Sequence, residues 1–89
     1  MAVSYLASLE AVFVDEFKRR LSGFPQDVVL GLVLSSSGEW WLVFPAAGVR
    51  ALVPACDRFD EFELVREYAA DLVGFSGSIV LAKESEAAA

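Results

Sequence analysis

Four carboxylates, Asp60, Glu63, Glu67 and Asp71, recur at steps of three, four and four residues. On a helix this spacing lines them along one edge. Between Asp57 and Asp71, six acids and two bases carry −4 of the chain's formal −6. Like charges three or four residues apart cost a helix about a few tenths of a kcal/mol per pair, so helix stability does not ask for such a stripe. It can serve as a solvated face that keeps an apolar chain dispersed. It can also serve as a one-sign surface that steers a basic partner, with Leu64 beside it as an apolar anchor. Metal binding is the weakest of the three readings, because the carboxylates lack the ligand pattern and glycine turn of a calcium loop. No metal is expected.

Other chemistries are excluded by residue type. The chain has no histidine and one cysteine. Neither a Ser/His nor a Cys/His nucleophile arrangement can be built, and a structural zinc site lacks ligands. The six glycines each fit a turn, cap or bulge, and none forms a phosphate-cradling motif. No catalytic residue and no cofactor are therefore expected. Cys56, near Arg58 and ahead of a helix, sits where a thiol's pKa falls; a small residue at a tight approach is the plainer reading. Seven basic against thirteen acidic residues argue against direct nucleic-acid binding. The one basic cluster, Lys18-Arg19-Arg20, falls where a helix C-terminus favours cations. Trp40-Trp41 lacks the flanking bases that base stacking requires. As neighbours on a strand, the two indoles point to opposite faces.

The elements that position these residues follow from periodicity. Residues 3–22 read as a helix with an apolar arc of about half its circumference, wider than the stripe of about 100° that one core needs. Gly23 suits a left-handed C-terminal cap, and Pro25 blocks continuation. The runs 28–34 and 39–44 flank Ser35-Ser36-Ser37-Gly38 and predict an antiparallel hairpin. Neither run alternates apolar with polar, so both faces of the hairpin should be covered. Pro45-Ala46-Ala47-Gly48 makes a second turn and 49–53 a third strand. Asp60-Glu61-Phe62-Glu63 has capping-box form, with Phe59 and Leu64 as a staple, and Gly74 ends the second helix. A last strand covers 78–83. Residues 1–83 should form one domain and 84–89 a disordered tail.

The order α-β-β-β-α-β predicts an α+β two-layer sandwich, with a mainly antiparallel four-stranded sheet and two helices on one face. The other sheet face is then bare. At 56% hydrophobic against about 45–50% for ordinary domains, the chain has apolar side chains to spare. Either Val29, Val33, Trp40, Leu42 and Phe44 or their neighbours Leu30, Leu32, Leu34, Trp41 and Val43, the latter taken as the candidate interface, line that face, and a patch of this size predicts a homodimer. The rival reading is that a longer first helix or the tail folds over it. No uncharged run approaches the about 20 residues of a membrane span, and the N-terminus lacks signal-peptide features. With a single unpaired cysteine, the cytoplasm is the expected compartment.

These features suggest a small non-catalytic protein–protein interaction or regulatory module, partnered by itself and by another, possibly basic, protein. The alternative is an acidic inhibitor, antitoxin-like or of the phage anti-defence or anti-CRISPR kind. Its helix face, Asp60, Glu63, Leu64, Glu67 and Asp71, would occupy a basic nucleic-acid-binding site on a partner.

Overall fold

The structure, a computed structural model, describes residues 6–25, 27–54 and 62–83. After a 3₁₀ turn at Leu6–Ser8, the chain forms β1 (Glu10–Val12), α1 (Val14–Ser22), β2 (Leu30–Leu34) and β3 (Trp40–Phe44). A second 3₁₀ turn at Pro45–Ala47 leads to β4 (Val49–Leu52), then α2 (Phe62–Val73) and β5 (Ile79–Lys83). The class is α+β as expected. The sheet, however, is five-stranded and mixed, in the order β1-β4-β3-β2-β5. The central β2-β3-β4 meander is antiparallel, while both edges, β1 on β4 and β5 on β2, are parallel.

The extra strand comes from the segment expected to be one long helix. Instead of running over 3–22, the helix begins at Val14, and Phe13 ahead of it is extended (φ −75°, ψ 162°). The half-circumference apolar arc belongs to two different surfaces. Leu6 and Leu9 pack with Val33 and Val43 on one face of the sheet. Phe17 and Leu21 pack on the other, beside Leu30, Leu32, Leu42 and Phe44. No single helix can bury both sets. Breaking it at residues 9–13 lets one short segment reach both faces, with the Glu10 N–H donating to the Gly48 carbonyl (2.9 Å) to start the parallel pairing.

Both helices lie on one face, where Phe17 and Leu21 of α1 and Val65, Ala69 and Val73 of α2 close over β2, β3 and β4. The hairpin turn, the strand ends and the stop at Gly74 (φ +66°) follow the sequence pattern. Gly23 does not: its φ is −85°, and α1 ends without a left-handed residue. The expected capping box at Asp60, and the residues 84–89 expected to be a tail, lie outside the described residues.

Gly31 marks a close approach on the second face. A Cβ there would meet Val43 Cγ2 at 2.8 Å, so the bare backbone lets Val43 lie across β2 beneath Leu6 and Leu9.

Candidate functional site

The register of the hairpin decides which side chains share a face. Leu32 lies opposite Leu42, Val33 opposite Trp41, and Leu34 opposite Trp40. The five residues expected to form one interface therefore divide. Leu30 and Leu32 are wholly buried under the helices with Trp40 and Leu42. Leu34 is on that same side at its exposed margin. Only Trp41 and Val43 belong to the second face, and Val43 is buried beneath Leu6 and Leu9. The expected grouping paired the two strands one residue out of register, and such a slip turns a whole strand's side chains to the opposite face. Leu30 and Leu32 cannot contact another molecule while the domain is folded.

At the Trp41 end of the second face a strip stays open, besides the half-exposed Val29 and Val80. Trp41 pairs with Leu52 across β3 and β4. The β1–β4 pairing ends at Val12 opposite Ala51, and Phe13 and Leu52 are the next residue along each chain. Val12 packs toward the helix-covered core, which turns Phe13 the other way. Leu52 is 40% exposed and Phe13 is 89% exposed, the most exposed large apolar side chain among the described residues. Sequence reasoning missed Phe13 because a continuous helix places it inside the apolar arc.

Arg50 organises the border of the strip. Its guanidinium stands 4.2 Å from the centre of the Trp41 ring, and its Nε donates to the Leu9 carbonyl (3.1 Å). One side chain thus presses on Trp41 and ties down the segment covering Val33 and Val43. Trp40, as expected of one of the pair, enters the core, with the Phe62 ring 6.4 Å away.

The acidic face is assembled in part. Glu63, Leu64, Glu67 and Asp71 are all exposed on α2, within about 100° of one another at the helical pitch; Asp60 lies outside the described residues. Arg66 donates to Glu63 (2.6 Å) and partly neutralises it. That hydrogen bond raises the Arg66 pKa further above its ordinary value, though a pair this open to solvent contributes little to stability. Glu67 and Asp71 line an open groove with Arg66, Ala70, Phe75, Ser76 and Gly77. Among the described residues no three His, Cys, Asp or Glu side chains converge as metal ligands. No helix there is long and apolar enough to cross a membrane. Of the basic triplet, Arg19 and Arg20 both pair with Glu16, Arg20 Nε at 2.6 Å.

Comparison with known protein families, with curated proteins and with solved structures returned no match. Function must be argued from these surfaces.

Proposed function

We propose that this chain is a non-catalytic protein–protein interaction module, and that the strip of Trp41, Leu52 and Phe13 is where it holds a partner protein. The observation that carries the reading is Phe13, an aromatic ring left 89% exposed at one end of the second face. Aromatic and arginine side chains dominate the energetics of protein interfaces, and Trp41, Phe13 and Arg50 supply three of them at one place. The absence of histidine from the sequence supports a non-catalytic role. The lone Cys56 supports a reducing compartment, the cytoplasm, as its setting.

A second reading, the acidic inhibitor, is favoured by the clustering of Glu63, Leu64, Glu67 and Asp71 on one exposed helix face. One experiment separates the two. Affinity capture from the native host compares the wild type with a Phe13→Ser/Leu52→Ser variant and with a Glu63→Lys/Glu67→Lys variant. Loss of the captured partner only in the first variant supports the strip. Salt-sensitive capture lost only in the second supports the acidic helix. A partner retained by both rejects both readings.

A further inference from the structure

The two edges of the sheet are protected very differently. At one edge, β1 is three residues long and opens with an exposed glutamate, Glu10. Short length and charge are how natural proteins blunt an edge against pairing. At the other edge, β5 reads Ile-Val-Leu-Ala-Lys over five residues, with no proline and no charge before its last position. Val80 is 49% and Leu81 53% exposed, on opposite faces of the strand. The sheet order leaves the outer side of β5 without a neighbouring strand among the described residues.

The backbone direction can be read from one contact. The Leu30 N–H donates to the Ser78 carbonyl (3.0 Å), and Leu30 lies opposite Ile79 in the parallel register. In a parallel ladder the residues on either side of a register position carry its two bonds. Ser78, Val80 and Ala82 therefore turn their backbone groups toward β2, and Ile79, Leu81 and Lys83 turn theirs outward.

We propose that β5 is a self-association edge, at which two copies of the chain pair antiparallel about a two-fold axis at Leu81 to form one continuous ten-stranded sheet. In this register the outward-facing Leu81 of each copy exchanges both backbone hydrogen bonds with its counterpart, about 5.5 Å apart at Cα. Val80 meets Ala82, and Ile79 meets Lys83, so the strand is complementary to itself. The two-fold axis stands perpendicular to the sheet and keeps both helix layers on one side. Charge supports the same pairing. Lys83 of each copy is set alongside Ile79 of the other, just after the Phe75-Ser76-Gly77 segment that borders the groove of Glu67 and Asp71. Position 83 carries the one basic residue of β5, and the register sets it at the end of the other copy where Glu67 and Asp71, two acids against the one base Arg66, line the groove.

This edge is distinct from the Phe13 strip and does not rest on that reading. Sedimentation velocity of the full chain over a wide concentration range tests it. A reversible monomer–dimer equilibrium is expected, with Kd raised about tenfold or more by Leu81→Lys, which sets like charges directly opposite in place of an apolar pair. Ala46→Lys, at an exposed position in the turn between β3 and β4, should leave Kd unchanged. In the wild type, hydrogen exchange at the Leu81 amide should slow as concentration rises, a readout independent of whether the variant folds. A chain that stays monomeric, a dimer indifferent to Leu81→Lys, or a Leu81 amide whose exchange ignores concentration overturns the proposal.

Discussion

Gly31 and Val43 show how closely the second face is fitted. A methyl group at position 31 would arrive 2.8 Å from Val43 Cγ2, while Val43 is held from above by Leu6 and Leu9. Gly31→Ala should therefore destabilise the fold by about 1–3 kcal/mol, the usual cost of overpacking, measured by urea denaturation; an unchanged midpoint would show that Val43 can move freely. A second expectation concerns pH. The hydrogen bond from Arg20 holds the Glu16 carboxyl below its ordinary value against the opposing desolvation, with the charges of both arginines and the hydrogen bond from Arg19 adding to the lowering. A group with a depressed folded pKa stabilises above its unfolded value, about 4.3 for glutamate, and loses that contribution as pH falls through the folded value. Glu16→Gln should be slightly less stable than the wild type near neutrality and converge with it in strong acid, so its acid-side loss of stability is shallower, as thermal melts from pH 7 down to strong acid would record. The plain role of Lys18-Arg19-Arg20 as a helix end was legible from the residues. The pairing of two of them with a single carboxylate was not, because it depends on where α1 begins.

At the scale of elements, the segment 6–22 is where sequence and structure part. Its apolar positions fit a helix at 100° per residue, and local periodicity has no way to assign half of them to another surface. The width of the arc was the available signal: a stripe too broad for one core belongs to two. The hairpin, the third and last strands and α2 were legible because each is short, strongly patterned and bounded by glycine or proline. Strand order was not, since both parallel edge pairings depend on contacts distant in sequence. The covered second face raises a prediction about its cover. Arg50 reaches both the Leu9 carbonyl and Trp41, so Arg50→Ala should loosen the 6–12 segment before the rest of the domain. Hydrogen exchange should rise at the β1 amides while the β2 and β3 amides keep their protection. Equal loss across all strands would mean that the segment and sheet open as one unit.

For the whole molecule, the apolar excess found in the composition is used twice in 89 residues. One core lies under the helices and a smaller one under the N-terminal segment. Among the described residues no polar or charged side chain is buried. Of the exposed large apolar side chains among the described residues, Phe13 and Leu52 lie at one end of the second face and Val80 and Leu81 on β5, while Val29, Leu34 and Leu64 stand apart. The homodimer expected from the bare sheet face is proposed instead at the β5 edge, and the open strip is proposed to hold a different chain. The direct test of the strip is to replace Phe13 with a photo-crosslinking phenylalanine analogue and irradiate the protein in its native host. The account predicts one discrete crosslinked protein, lost when Leu52 is also changed to serine. Irradiation that yields no protein adduct at position 13, with the folded chain confirmed present, would contradict it.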